Sequence, residues 1–204
     1  MRRRPRSAHP VKVRCATGNP GKLREFRLAG RVLGIDIEPP DGIGSLAAPD
    51  ETGTTFEQNA RLKAEYYSRF SPGLLFADDS GLEVDSLNGE PGVYSARYAG
   101  PNATDTDNNR LLLERLGDSP RRTARFVCVI ALAEGGQAIR EFRGTVEGEI
   151  LFSPRGPGGF GYDPLFFYPP FSCSFGEVEG EKKFAVSHRG NALRALLKYL
   201  AQSQ

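Results

Sequence analysis

The chain of 204 residues is poor in several things, and each shortage removes a class of function. It has three cysteines, Cys15, Cys128 and Cys173, set far apart and with no C-x-x-C between them. An odd number without an apolar leader argues against a disulfide framework and for a reducing cytoplasm. Cys15 and Cys128 sit in strand-like apolar runs, where cysteine serves as a small hydrophobe. Histidine is scarcer still, with only His9 and His188. A histidine-rich zinc site is therefore excluded, and the cysteines do not fill the gap. No stretch approaches the roughly 18 consecutive apolar residues that a membrane span requires. The first residues lack the apolar core of a secretion signal. There is no G-x-S-x-G nucleophile elbow and no G-x-x-x-x-G-K-[ST] phosphate loop.

A surplus of charge is also missing. Lys and Arg number 27 against 25 Asp and Glu, a net charge of +2. Four arginines and no acid fall in residues 1–10, MRRRPRSAHP, so the other 194 residues carry −2. A weakly acidic body excludes a broad nucleic-acid surface. Residues 1–10 read as a disordered basic extension, and residues 11–204, with ample length for a core, as one domain.

What is present is an alternation of strand-like and helix-like segments. VKVRCA at 11–16 is a short strand, followed by the turn-forming TGNPGK and a helix in which Leu23, Phe26 and Leu33 share a face. Residues 39–53 read as a loop. A second helix opens at Thr54 or Thr55 with a capping box to Glu57 or Gln58 and an apolar stripe of Phe56, Ala60, Ala64 and Tyr67. Leu74–Ala77 reads as a buried strand ending in two carboxylates and a turn, with a second short strand after it. An acid-capped helix over 105–116, two long strands over 122–134 and 138–150 around Gly135-Gly136, an irregular loop over 153–164 and a final helix from Ser187 to Leu200 complete the pattern. The fold class is α/β with α+β character: a mixed sheet flanked by helices, in two lobes around a cleft.

Four stretches carry chemistry. Thr17-Gly18-Asn19-Pro20-Gly21-Lys22 offers N–H groups, a hydroxyl, an amide and an ammonium at a helix start, which suits a phosphate and equally makes an ordinary turn. Asp78-Asp79-Ser80-Gly81 ends a buried run. Its carboxylates suit a hard cation such as Mg²⁺ or cap a turn, and strand alternation expects only one of the two in a given cleft. Gly158-Gly159-Phe160-Gly161-Tyr162-Asp163 lets a backbone approach a flat ligand, with Phe160 free to stack. His188 and Arg189 stand at the start of the last helix with Ser187 as its cap, as structural donors or as ligand contacts.

Read together, five stretches resemble the inosine triphosphate pyrophosphatase (Ham1-like, non-canonical purine NTP pyrophosphatase) family. They are Ala16-Thr17-Gly18-Asn19 with Lys22, Glu25 and Phe26; Thr55-Phe56 with Asn59, Ala60, Lys63 and Ala64; ADDSGLEVDSLNGEPGVYSARYAG over 77–100; GGFGYDPLF; and AVSHRGNAL. The resemblance covers residue 12 to the end and implies an elongated two-lobed fold with a long central mixed sheet, a homodimer, and Mg²⁺-dependent hydrolysis of ITP, dITP and XTP to monophosphate and pyrophosphate. It implies that Thr17 to Lys22 hold phosphates, that Lys63 and Lys183 neutralise them, and that Asp79 is proton acceptor and metal ligand with Ser80 beside the substrate. Phe160, Gly161, Tyr162 and Asp163 would hold base and sugar, and His188 and Arg189 would read the base edge. The usual Glu-Glu-Thr-Gly stretch is here Asp50-Glu51-Thr52-Gly53, so either Asp50 or Glu51 supplies the second metal ligand. Residues 172–181 and the arginine-rich extension depart from the family pattern. Two other readings stand beside this one. One is a house-cleaning pyrophosphatase for modified or pyrimidine nucleotides, the other a nucleotide-binding or RNA-associated protein without catalysis.

Overall fold

Lys12–Ala16 forms the first strand, β1, and the apolar positions of this run decide where it lies. Val13 and Cys15 are buried on one face of a sheet and Ala16 on the other. The computed structural model describes residues 12–32 and 34–202; the basic extension, Val11 and Leu33 lie outside the described residues. Helix α1 (Pro20–Val32) starts on Pro20, whose missing N–H costs nothing at a first helical position. Asn19 caps it, its Oδ1 accepting from the N–H groups of Gly21 at 2.8 Å and Lys22 at 3.1 Å. The chain then makes a short parallel strand, β2 (Asp36–Glu38), which the sequence pattern did not announce.

Helix α2 (Phe56–Ser68) begins at Thr55, whose hydroxyl accepts from Gln58 N, while the Gln58 amide oxygen accepts from Thr54 N. Its Phe56, Ala60 and Ala64 are buried, as the stripe requires, and Tyr67 packs against the same core. Strand β3 runs unbroken from Leu75 to Val84. The two carboxylates and the residues after them are therefore inside a strand, not at its end, which corrects the expectation of a turn at Asp78–Gly81. Helix α3 (Asp105–Leu116) has Thr104 and Asp107 in a full capping box. Strands β4 (Thr123–Glu134) and β5 (Gln137–Ile150) make the long hairpin, and β6 (Phe166–Tyr168) and β7 (Cys173–Ser174) close the edge. A short helix not read from the sequence, α4 (Gly180–Val186), precedes the final helix, α5 (His188–Gln202), which begins after Ser187 as expected. Ser187 closes the first and its Oγ accepts from Gly190 N to open the second.

Among the described residues the seven strands form one mixed sheet in the order β2-β1-β3-β4-β5-β6-β7. The first three are parallel, and the pairs from β3 onward are antiparallel. Alternation along β3 divides its two faces. Phe76 joins Phe26, Ile130, Leu193 and Leu196 under α1 and α5, whereas Leu75 and Ala77 join Ala60, Ala64 and Val129 under α2. A further cluster, with Leu82, Leu112, Phe126, Phe166 and Phe175, fills the end nearer α3. What positions the site is a mismatch of lengths. The β1 ladder ends at Ala16 opposite Ala77, while β3 continues through Asp78, Asp79 and Ser80 with no strand on that side. An open strand edge at the carboxyl end of a parallel pair is where ligands enter such sheets.

Candidate active site

A cleft of about 340 Å³ opens at this edge. Its wall takes Thr17, Gly18, Asn19 and Lys22 from the first loop, Glu51 and Lys63 from the second helix and its approach, and Asp78, Asp79 and Ser80 from β3. Phe160 to Asp163, with His188 and Arg189, complete the far end.

Both aspartates line this cleft, contrary to the expectation that only one would. Alternation does send them to opposite faces of β3, but the cleft wraps around the unpaired edge and meets both. Asp78 points towards α1, where its Oδ2 lies 2.9 Å from Lys22 Nζ. Its Oδ1 is buried without a partner. Burial alone would raise this carboxyl, but Lys22, Lys63 and Arg189 outweigh it and hold Asp78 below the ordinary carboxylate range. Asp79 points towards α2, where Oδ1 accepts from Lys63 Nζ at 2.8 Å and Oδ2 from Asn59 Nδ2 at 3.3 Å. Here burial wins, and Asp79 is pushed above the ordinary range despite Lys63. A raised carboxyl beside a cleft is the condition in which such a group takes up a proton readily.

Asn59 is fully buried and works in both directions, since its Oδ1 also accepts from Gly53 N at 2.8 Å. A Cβ on Gly53 would sit 2.6 Å from that oxygen and 2.7 Å from Gln58 Cβ, so the close approach requires glycine. This turn carries Glu51 into the wall, where Lys63 Nζ reaches it at 2.8 Å and Arg97 at 3.5 Å. Burial would raise Glu51, but Lys63, Lys22 and Arg97 bring it below the ordinary value. Lys63 in turn is lowered by burial and raised by Asp79, Asp78 and Glu51, ending at about 12. Asp50 is exposed and stands outside the wall.

The far end is built differently. Phe160 lies over Gly21, where a Cβ would come within 3.1 Å of the ring, and near two cations: Arg189 at 4.9 Å and Lys183 at 5.2 Å from its centre. Lys183 is 3% exposed and does not line the cleft. Its ammonium is held by Glu25 at 2.7 Å and Asp163 at 2.6 Å. Asp163 also accepts from Phe160 N at 2.9 Å, and burial pushes its carboxyl upward. Arg189 donates to Glu25 at 2.9 Å and to Ser80 Oγ at 3.1 Å. His188 stacks on Phe126 at 4.8 Å, and both its ring nitrogens are buried without a partner. Burial, with Arg189 and Lys183 nearby, drives its pKa well below the ordinary histidine value, so the ring is neutral.

The Ham1 family pattern matches residues 13–199, a span that includes every element of this cleft. The chain belongs to the Ham1 family. A relative from Exiguobacterium, named dITP/XTP pyrophosphatase, is 50% identical over 186 residues, covering 91% of this chain and 95% of its own. Another of the same name from Thermus thermophilus is 50% identical over 190 residues, covering 92% and 91%. The solved Ham1 protein of Staphylococcus aureus superposes with a TM-score of 0.83 at 40% identity, over 95% of this chain and all of that one. The Coxiella burnetii HAM1 structure gives 0.84 at 40% identity, over 94% and 99%.

Of the residues singled out from the Ham1 resemblance, Thr17, Gly18, Asn19, Lys22, Lys63, Asp79, Ser80, Phe160, Gly161, Tyr162, Asp163, His188 and Arg189 share one cleft, with Glu51. Pro20, Gly21, Asp50 and Lys183 stand outside its wall. Residues missed as parts of the site include Asp78, as the partner of Lys22; Asn59, on Asp79; Glu25, as the joint between Lys183 and Arg189; Arg97, on Glu51; and Asp105 in the wall. Glu25 carried a usable signal, because it follows Lys22 by three residues and shares its helix face. Arg97 carried none, since it reaches Glu51 from a distant 3₁₀ turn (Gly92–Arg97).

Proposed function

We propose that the chain is a nucleoside triphosphate pyrophosphatase that cleaves ITP, dITP and XTP to the monophosphate and pyrophosphate. The observation that carries this is the polarity of the cleft. Lys22 and Lys63 with paired acids occupy one end, and a stacking ring with unmet polar nitrogens occupies the other, as a triphosphate and a purine require. The relatives named dITP/XTP pyrophosphatase support the same reading.

Glu51 and Asp79 fit a magnesium ion. They are hard oxygen donors that already converge on one cation, the Lys63 ammonium, at 2.8 Å each. Among the described residues no group of three or more His, Cys, Asp and Glu side chains could hold a metal by itself, so substrate oxygens would complete the shell. Such an ion supplies charge neutralisation on the phosphates. Asp79 would orient a water against the α-phosphorus and take its proton, with Asn59 fixing the carboxylate. Lys22 and Lys63 would stabilise the departing pyrophosphate, since such transfer depends mostly on positioning and charge. Phe160 would stack on the base. Neutral His188 and Arg189 would meet its edge, and ATP's 6-amino group would then place a donor against a donor. Lys183 acts from behind Phe160, so its service is to the base end and not to the phosphates. A homodimer accompanies this reading, as the family resemblance implies, and a cytoplasmic setting, as the cysteine usage implies; among the described residues no helix is long and apolar enough to cross a membrane.

The test is pyrophosphate release across a panel of NTPs and dNTPs with and without magnesium. Magnesium-dependent release from ITP, dITP and XTP, with little from ATP and GTP, is expected. A panel led by dUTP or dTTP would replace the purine reading with a pyrimidine one. Nucleotide binding without turnover would end the enzymatic reading.

A further inference from the structure

The loop that carries Phe160 is held from α3 by contacts that the reaction does not call for. Gly161, the next residue, is gripped at both its backbone groups. Its N–H donates to Asp105 Oδ2 at 2.6 Å, and its carbonyl accepts from Asn109 Nδ2 at 3.0 Å. Asp105 and Asn109 are four residues apart at the start of α3 and so share one helix face. Asp105 also lines the cleft beside Gly161 and Tyr162. The Asn109 amide is committed to this contact, because its other end, Oδ1, is buried with no partner. Nothing lies within 4 Å of where a Gly161 side chain would begin, so hydrogen bonds and not side-chain packing fix the backbone there. On the opposite side the same loop is tied by Asp163 to Phe160 N and to Lys183.

We propose that Asp105 and Asn109 form a backbone clamp on Gly161 that sets the plane of Phe160, making them positioning residues for the purine base. The proposal rests on Phe160 being the base-stacking residue. A loop tied on both sides offers the ring in one orientation. A loop tied only through Asp163 leaves the ring free to tilt, and ordering it must then be done by the ligand. The clamp therefore acts on base affinity and leaves the triphosphate contacts alone.

The test measures binding of inosine monophosphate and of pyrophosphate to the full-length protein by calorimetry, with steady-state turnover of ITP. Asp105→Ala and Asn109→Ala should each weaken inosine monophosphate binding and raise the KM for ITP about tenfold, the scale of one lost hydrogen bond. Pyrophosphate binding and kcat should stay within about twofold of wild type. Asp105→Asn keeps an oxygen for the Gly161 N–H and should recover most of the affinity. Asn109→Asp turns a carboxylate onto a carbonyl oxygen and should be worse than Asn109→Ala. Asp107→Ala breaks the α3 capping box without touching the clamp, so it should lower thermal stability and leave base affinity intact. The proposal is overturned if Asp107→Ala weakens inosine monophosphate binding as much as Asn109→Ala does. It is equally overturned if the clamp variants lose pyrophosphate binding in parallel. A wild-type protein that neither binds inosine monophosphate nor turns over ITP would instead overturn the functional reading beneath it.

Discussion

The two ends of the cleft use cations in opposite ways. At the end lined by Lys22 and Lys63, each ammonium rests on one or two acids at the surface of the cleft, with 15% and 12% of the side chain exposed. At the Phe160 end, Lys183 is enclosed by Glu25 and Asp163, and Arg189 by Glu25 and Ser80. The first pair can turn to an incoming polyanion while their acids take a metal ion. Lys183 is committed to the scaffold, because freeing it would strand the buried Asp163 carboxylate, whereas Arg189 keeps a place in the cleft wall. Motif spacing alone does not distinguish a lysine that meets the substrate from one that supports the residue that does. Burial and a place in the cleft wall do.

The comparison predicts unequal losses. Asp79→Asn should cause the largest, cutting the ITP rate by about a hundredfold or more, as loss of a general base does. A rate within about twofold of wild type would remove Asp79 from that role. Lys63→Met should follow, lowering kcat by on the order of a hundredfold through lost charge stabilisation, with a smaller stability loss than at Lys183 because Asp79 keeps Asn59 and Glu51 keeps Arg97. Lys183→Met should behave in the reverse manner. It strands the buried Asp163 carboxylate beside Glu25, which keeps Arg189, so destabilisation of about 3 kcal/mol is expected, with the kinetic loss mainly in KM. Equal kcat losses for the two lysine variants would erase the distinction between the ends. Phe160→Ala should raise the KM for ITP about tenfold with a smaller effect on kcat, the scale of one lost base stack.

The smallest effect is on stability against pH. His188 is held neutral with its pKa well below 6.5, so the unfolded chain binds its proton first as pH falls. Stability should be full above the unfolded value and decline as pH drops from 6.5 towards the folded value, by roughly 1 kcal/mol per pH unit. His188→Phe should flatten that slope in thermal melts between pH 7 and 5. An unchanged slope would assign the acid sensitivity to other groups.

Local pattern made much of the fold legible. The α2 cap at Thr55, helix α3 over 105–116, the β4–β5 hairpin and the buried leucines of α5 all follow from periodicity and turn chemistry. The strand through Asp78-Asp79-Ser80 did not, because side by side those residues are turn formers. What keeps them extended is remote: the β4 ladder opposite, Lys22 from one helix and Lys63 from another. The start of α5 after Ser187 was legible, but the seven-residue helix α4 before it was not, being too short to show an apolar period. The choice between Asp50 and Glu51 was equally closed to spacing. In the structure Gly53 N donates to Asn59 Oδ1, Glu51 lies in the cleft wall and Asp50 lies outside it.

If the Asp79 end directs water to the α-phosphorus while the Phe160 end chooses the base, the attacking oxygen ends on the monophosphate. The decisive experiment is turnover of ITP with magnesium in water labelled with heavy oxygen. Inosine monophosphate carrying the label on its phosphate is expected, with unlabelled pyrophosphate as the other product. Label in the pyrophosphate, or inosine diphosphate and orthophosphate as products, would contradict attack at the α-phosphorus.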